Sequence, residues 1–206
     1  MTRHLVALSA GLSQPSSTRL LADRLLAATS ATLDERGVAH TTEVVELRDL
    51  ARDVTDMLLT GFAPPRLADV LEKVRTADGL VAVTPIFSGS YSGLFKSFMD
   101  VVDPDALRGV PVLLGATAGT PRHSLALEHA LRPLFSYLRA DVVGTAVFAA
   151  TDDWGANGST YDSAGRLQSR IDRAGSELAT KVEHYAGAAE DDPFGDVVPF
   201  AEQLGR

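Results

Sequence analysis

Hydroxyl side chains cluster in residues 9–18, the first segment of the chain whose residue types could hold a ligand. The segment contains four serines and a threonine, and the apolar periodicity after it predicts that it opens a helix. Hydroxyls together with the free N–H groups of a helix N-terminus form an anion site. The segment has neither a Walker A ending nor a Gly-x-Gly-x-x-Gly pattern. It therefore favours the binding of a phosphate monoester without a metal ion and without transfer of the phosphoryl group. The alternative is that the same hydroxyls only cap the helix and form turns.

A second candidate segment, residues 84–93, combines a proline, an isoleucine and two aromatic residues just after a strongly apolar run. Pro85, Ile86 and Phe87 could present a flat apolar wall and backbone polar groups to a planar heterocycle. The alternative is an ordinary turn with Phe87 and Tyr91 packed into the core. Residues 89–93 have tyrosine at their centre, so they are not a nucleophile elbow.

A third segment, residues 116–121, ends in Pro121, which is well placed to begin a helix. Backbone N–H groups of Thr117, Ala118 and Gly119 would then face a ligand, and Gly119 permits a close approach of the backbone. Such donors would stabilise negative charge that develops on a bound heterocycle during a reaction.

No side chain in these three segments is predicted to act as an acid, a base or a metal ligand. The chain has no cysteine, and no carboxylate cluster lies in the segments. The five histidines show no metal-binding spacing: they are His4, His40, His123, His129 and His184. We therefore predict no catalytic side chain and no metal, and expect a bound cofactor to carry the chemistry.

Composition predicts one globular domain with an acidic tail. The chain has 206 residues, 45% of them hydrophobic, with a formal net charge of -8, which argues against nucleic-acid binding. No apolar run reaches the roughly 20 residues that span a bilayer, and we expect a cytoplasmic protein that binds no membrane. We assign residues 1–186 to the domain and 187–206 to the tail. Five large apolar residues predict that the tail docks on the domain or on a partner subunit: Phe194, Val197, Val198, Phe200 and Leu204.

Strand-length apolar runs alternate with helical periodicity along residues 1–186. Strands are predicted at 5–8, 43–47, 80–83, 110–114 and 142–148. The alternation predicts an α/β flavodoxin-like three-layer sandwich whose five-stranded parallel sheet has the order 2-1-3-4-5. Ligands bind at the carboxyl ends of such strands near the switch between strands 1 and 3, where the three segments described above would meet.

Pro133 lies inside the predicted fourth helix, which spans roughly residues 127–138. Proline has no N–H to donate, and its ring clashes with the carbonyl four residues earlier, here that of His129. We predict a kink or a π-bulge near His129, the alternative being a simple kink of a packed helix.

With these motifs in place, the chain resembles the NAD(P)H-dependent FMN reductases of the flavodoxin-like superfamily. It is most similar to an actinobacterial branch of the reductases that partner alkanesulfonate-type two-component monooxygenases. The resemblance covers residues 1–186 and is specific in the three segments. It implies that the FMN phosphate and ribityl chain are held by Ser9, Leu12, Ser16, Ser17 and Thr18. It implies that Pro85, Ile86 and Phe87 flank the isoalloxazine ring and that Thr117, Ala118 and Gly119 meet its pyrimidine edge. The first segment lacks the arginine that many relatives carry after the first serine.

The resemblance also implies an activity and partners. We expect hydride transfer from NAD(P)H to FMN, after which the reduced FMN is used in place or released. The expected partners are small-molecule substrates and a flavin-dependent monooxygenase. The alternatives are an FMN-bound quinone or azo reductase, a flavodoxin-type electron carrier without pyridine-nucleotide activity, and a binding module without flavin. We expect a homodimer or homotetramer, with Trp154 and the apolar tail residues as candidates for the subunit surface.

Overall fold

Alternating strands and helices build a parallel sheet that carries helices on both faces. The computed structural model describes residues 2–154 and 163–187. The strands are β1 (Arg3–Ser9), β2 (His40–Glu46), β3 (Gly79–Phe87), β4 (Ser90–Tyr91), β5 (Pro111–Ala118), β6 (Asp141–Val142) and β7 (Val147–Ala150). The helices are α1 (Ser17–Glu35), α2 (Ala51–Thr60), α3 (Pro65–Arg75), α4 (Gly93–Val101), α5 (Arg132–Tyr137) and α6 (Ser163–His184).

The sheet has the strand order β2-β1-β3-β5-β6, with β7 also paired to β5 and β4 paired antiparallel to β3. The predicted flavodoxin-like fold and its 2-1-3-4-5 order are therefore confirmed, because β6 and β7 share the fifth position. Helix α2 adds an element that the sequence analysis does not predict.

The fifth strand differs from its prediction because it is interrupted. Val142 lies opposite Val112, and Val147 lies opposite Gly115. The four residues 143–146 therefore bulge out opposite the two residues 113 and 114, and the predicted single strand over 142–148 is wrong in this respect.

Side chains satisfy the backbone of this bulge. The guanidinium of Arg132 donates to the carbonyls of Val143 and Gly144, at 3.1 and 3.2 Å. Glu177 of α6 accepts from both the N–H and the hydroxyl of Thr145, at 2.7 and 2.6 Å. The interruption is thus held by α5 and α6, which replace the hydrogen bonds that a continuous strand would make with β5.

Two apolar cores lie on the two faces of the sheet. Along β1, Leu5 and Ala7 pack into the core beneath α1 and α6, whereas Val6 and Leu8 pack into the core on the opposite face. Successive side chains of a strand point to opposite faces, so a strand covered on both sides must be apolar throughout. This is why the continuous apolar runs identify the central strands correctly.

The widened helical turn predicted before Pro133 is present. Residues Leu127–Leu131 form a π-helical turn, and α5 begins directly after it at Arg132. A π turn shifts each hydrogen bond by one residue, which accommodates the missing donor of Pro133. The predicted bulge near His129 is confirmed.

The predicted tail, residues 187–206, lies outside the described residues except for Gly187, and its docking stays a prediction. Among the helices of the described chain, none combines the length and the apolar character needed to cross a bilayer.

Candidate functional site

The three candidate segments converge on one cavity at the carboxyl ends of β1, β3 and β5. The cavity has a volume of about 350 Å³, within the range of small-ligand sites. Nine of the eleven predicted site residues line it: Leu12, Ser17, Thr18, Pro85, Ile86, Phe87, Thr117, Ala118 and Gly119. Gly11, Ser13 and Thr151, which the sequence analysis does not assign, line it as well. A larger groove of about 770 Å³ lies among α2, α3 and the end of α4, on another part of the surface.

Ser16 and Ser9, the two remaining predicted residues, do not line the cavity. The Ser16 hydroxyl caps α1 by accepting from the Arg19 N–H at 3.2 Å, so the helix-capping alternative holds for this residue. Ser9 is buried at the end of β1, and its Oγ has no hydrogen-bond partner within the described residues. Buried polar atoms in proteins rarely stay unpaired, so Ser9 has capacity for a ligand or a water.

The N-terminus of α1 faces the cavity through Ser17 and Thr18. Their N–H groups belong to the first helical turn, which has no preceding carbonyls to accept them. The Thr18 hydroxyl lies 2.8 Å from that of Thr117. This hydrogen bond joins the first segment to the third across the cavity floor, and both threonines are buried.

The second segment forms a tight hairpin at the end of β3. Ile86 pairs with Tyr91 and Phe87 with Ser90, and the two connecting residues have positive φ angles, 50° at Ser88 and 87° at Gly89. These angles are typical of a two-residue type I′ turn, which matches the twist of the strands.

The two aromatic residues of this hairpin have different environments. Phe87 is 48% exposed at the cavity, whereas Tyr91 packs against Phe95 with ring centroids 6.0 Å apart. Each of the two alternatives for the segment therefore holds for one aromatic: Phe87 is available to a ligand, and Tyr91 belongs to the core.

The third segment continues β5 through Ala118 and then turns. Pro121 begins only the short 3-10 turn Pro121–His123, so the predicted direct start of a long helix at this residue is wrong. Thr120 makes no side-chain cap there, and the helical turns against the sheet begin later, at Leu127. A Cβ added to Gly119 would meet no atom within 4 Å, which leaves space beside the backbone for a ligand.

Arg48 is a further residue of this region that the sequence analysis misses, and it lies outside the cavity lining. Its Nη1 donates to the carbonyl of Ser13 at 3.1 Å, from 35 residues along the chain. Its Nη2 pairs with Glu46 at 2.9 Å, and Arg19 pairs with the other oxygen of Glu46, also at 2.9 Å. The predicted order could have pointed to it, because strand 2 lies next to strand 1 and the loop after it must lie beside residues 9–18.

The hydrogen bond that Arg19 donates to Asp23, together with the negative charges of Asp23 and Glu46, raises the pKa of Arg19 above its ordinary value. Arg19 also pairs with Asp23 at 2.8 Å and Arg48 with Asp49 at 3.6 Å, so the outer side of the first segment carries two arginines and three carboxylates. No group of three or more potential ligand side chains in the described parts of the chain is placed to hold a metal ion.

An open parallel sheet with a donor-lined cavity at its switch point defines a flavodoxin-like nucleotide-binding protein. Comparison with known proteins identifies the family: the model described as NADPH-dependent FMN reductase matches residues 3–155. The chain belongs to this family and is an oxidoreductase, as the sequence analysis predicts. FMN and a nicotinamide nucleotide are the cofactor and the electron donor of the family.

Relatives and solved structures agree with this assignment. An FMN reductase (NADPH) of Pseudomonas aeruginosa is 40% identical over 152 residues, 73% of this chain and 78% of the relative. The NADH-dependent FMN reductase SfnE of Pseudomonas putida is 40% identical over 147 residues, 71% of this chain and 76% of the relative. An oxidoreductase structure from Corynebacterium diphtheriae has a TM-score of 0.83 at 44% identity, covering 88% of this chain and 97% of that one.

Proposed function

We propose that this protein transfers a hydride from NAD(P)H to FMN in the cavity formed by the three segments. The observation that carries the proposal is the convergence of N–H and hydroxyl donors, a half-exposed aromatic and an open backbone edge on one cavity at the switch point. When bound, FMN supplies the ring that accepts the hydride. The chain itself binds and orients the two reactants.

The first segment fits the phosphate and ribityl chain. Ser17 and Thr18 offer the unpaired N–H groups of the first turn of α1, which favour an anion. Ser9 does not line the cavity, so its unpaired buried hydroxyl would reach the cofactor through a bound water. Ser16 would contribute indirectly, because its cap holds the first turn of α1 in place, and Leu12 would cover the ligand from the cavity wall.

The second and third segments fit the ring. Pro85, Ile86 and Phe87 offer an apolar wall along one side, and Phe87 projects far enough to contact a second planar group such as nicotinamide. Thr117, Ala118 and Gly119 offer backbone groups to the pyrimidine edge. None of the cavity-lining residues in the described chain carries an ionisable acid or base, which suits a reaction in which the protein positions groups and moves no proton.

A flavin titration tests the proposal. The protein has one tryptophan, Trp154, three residues after the cavity-lining Thr151, so its fluorescence should fall as FMN binds. We expect the flavin spectrum to shift on binding and to bleach rapidly when NADPH or NADH is added without oxygen. Absence of any spectral or fluorescence change at saturating FMN would overturn the proposal.

The same titration separates the remaining activities. A protein that binds FMN but does not bleach it with either nucleotide would be an electron carrier. Retention of FMN on a desalting column after turnover would indicate a quinone or azo reductase, whereas its loss would indicate delivery of reduced FMN to a monooxygenase. We propose delivery, because Leu12 and Phe87 leave the cavity mouth open: each has about half of its surface exposed.

We also propose a cytoplasmic homodimer or homotetramer. Leu125, just before the π turn, and Tyr137, the last residue of α5, are 64% and 77% exposed, and a second subunit would cover such side chains. Trp154 is a weaker candidate for this surface than the sequence analysis expects, because it packs beneath Arg24 of its own chain, with the guanidinium 5.1 Å from the ring centroid. A monomeric mass in light scattering would overturn the oligomer.

A further inference from the structure

Arg48 lies behind the segment of residues 9–18 and contacts it at two consecutive residues. It donates to the Ser13 carbonyl at 3.1 Å, and the side-chain amide of Gln14 lies against the same guanidinium. The Arg48 side chain is only 16% exposed, and it does not line the cavity. It therefore acts on the segment from the side away from the ligand.

A network of ion pairs fixes the position of this guanidinium. Glu46 is the last residue of β2 and lies opposite Ser9 in the sheet. Its two oxygens bind Arg48 and Arg19, each at 2.9 Å. Arg19 in turn belongs to the first turn of α1, where its N–H is capped by Ser16. The network thus ties the middle of the segment to the helix that begins at its end.

The orientation of Ser13 connects this network to the cavity. Ser13 lines the cavity on one side and gives its carbonyl to Arg48 on the other. A loop that binds an anion must turn its N–H groups toward the ligand and its carbonyl oxygens away from it, because the carbonyl dipole repels negative charge. A carbonyl held on the outer side satisfies this condition.

We propose that Arg48 is a positioning residue that sets the preference of this site for a phosphorylated flavin. It does so by holding the Ser13 carbonyl outward from behind the segment, without contacting the phosphate. The inference rests on the proposed function, since it assigns a phosphate to residues 9–18. The planar fork of arginine matters here, because its two terminal nitrogens serve the Ser13 carbonyl and Glu46 at once, whereas the ammonium of lysine lacks that geometry.

The test compares FMN with riboflavin, which differ only in the phosphate. Dissociation constants of both flavins are measured by Trp154 fluorescence on the wild-type protein and on Arg48→Gln, Arg48→Lys and Arg66→Gln. Arg66 is the matched control, since it donates to the carbonyl of Asp49 at 3.3 Å, beside Arg48, and none of its hydrogen bonds in the described chain reaches residues 9–18. Thermal unfolding of each flavin-free variant checks that it is folded.

The expected result is a loss of discrimination between the two flavins. Arg48→Gln should raise the dissociation constant of FMN about tenfold, which is the effect of losing a charged hydrogen bond. It should raise the dissociation constant of riboflavin less than about twofold. Arg48→Lys should recover only part of the FMN affinity, and Arg66→Gln should leave both constants unchanged. If Arg48→Gln does not fold, the FMN-to-riboflavin ratio of Arg48→Lys decides in its place.

Two outcomes would overturn the inference in distinguishable ways. Equal weakening of FMN and riboflavin, or no change in either, would show that Arg48 has no role in phosphate preference while leaving the proposed function intact. A wild-type protein that binds neither flavin would overturn the proposed function itself, and this inference with it.

Discussion

Thr18 and Thr117 share a hydrogen bond between their Oγ1 atoms, 2.8 Å apart, although 99 positions separate them in the chain. Thr18 lies in the first turn of α1 and Thr117 near the end of β5. Both are buried and both line the cavity. This single contact sets the spacing between the segment proposed for the phosphate and the segment proposed for the flavin ring.

Replacing either threonine by valine should leave the other hydroxyl buried and unpaired. Thr18→Val and Thr117→Val should each lower the free energy of unfolding by about 1–3 kcal/mol, the cost of an unsatisfied buried group. The double variant should lose less than the sum, because it leaves no unpaired hydroxyl. Urea unfolding of the flavin-free proteins measures this, and strictly additive losses would contradict the coupling.

Two glycines of the cavity should respond to alanine in opposite ways. A Cβ on Gly11 would overlap the Ser16 hydroxyl and lie 3.1 Å from the Cβ of Thr18, so Gly11→Ala should displace the cap of α1 and cost about 1–2 kcal/mol. A Cβ on Gly119 would meet no atom within 4 Å, so Gly119→Ala should keep the thermal stability and weaken FMN binding instead.

Gly93→Ala is the control for this pair, because Gly93 begins α4, has no atom within 4 Å of an added Cβ and does not line the cavity. It should leave FMN affinity unchanged. Loss of stability in Gly119→Ala, or unchanged stability in Gly11→Ala, would contradict the packing described for these positions.

The two aromatics of the β3–β4 hairpin should separate binding from stability. Phe87→Ala removes a half-exposed ring and should change the free energy of unfolding by no more than about 0.5 kcal/mol, while it raises the KM for the nucleotide. Tyr91→Ala removes a ring that packs on Phe95 and should destabilise the fold by about 2 kcal/mol. Thermal unfolding and steady-state kinetics distinguish the two, and a stability loss in Phe87→Ala would place its ring in the core.

Glu128, in the π turn, should make stability depend on acid pH. A hydrogen bond from Arg132 at 2.6 Å holds the pKa of the Glu128 carboxyl below its ordinary value of 4.5. Because the folded state lowers this pKa, the stabilisation is present above pH 4.5 and is lost as the pH falls through the lowered value. The stabilisation of the folded state by this ion pair should be small, since the carboxylate is half exposed and screened by water.

The comparison that isolates this effect is Glu128→Gln against the wild-type protein. The wild type should unfold at the higher temperature at pH 7, and the difference should shrink steadily below pH 4.5. A difference that stays constant from pH 7 down to pH 3 would mean that the carboxylate contributes through packing and not through its charge.

Local patterns in the chain are sufficient to predict the sheet order and the position of the cavity. Val6 and Leu8 face one core and Leu5 and Ala7 face the other. Because both faces of such a strand are buried, its sequence must be a continuous apolar run. The order of a doubly wound sheet then places together the loops that follow the first, third and fourth predicted strands, which are β1, β3 and β5 of the structure. Pro133 predicts a kink or a π-bulge for an equally local reason, its missing N–H, and the structure shows that the bulge is the one formed.

Contacts between residues far apart in the chain are decided by the folded structure alone. The Thr18–Thr117 hydrogen bond and the bulge held by Arg132 and Glu177 join residues that no local pattern in the sequence pairs. For Arg48 the strand order indicates the neighbourhood of residues 9–18, but only the folded structure shows that its partner is the Ser13 carbonyl. Phe87 and Tyr91 are both aromatic, and the hairpin register directs one to the cavity and the other to Phe95. Hydrophobic periodicity specifies which face of an element is buried, but the partner that each polar side chain finds there depends on how those elements pack in three dimensions.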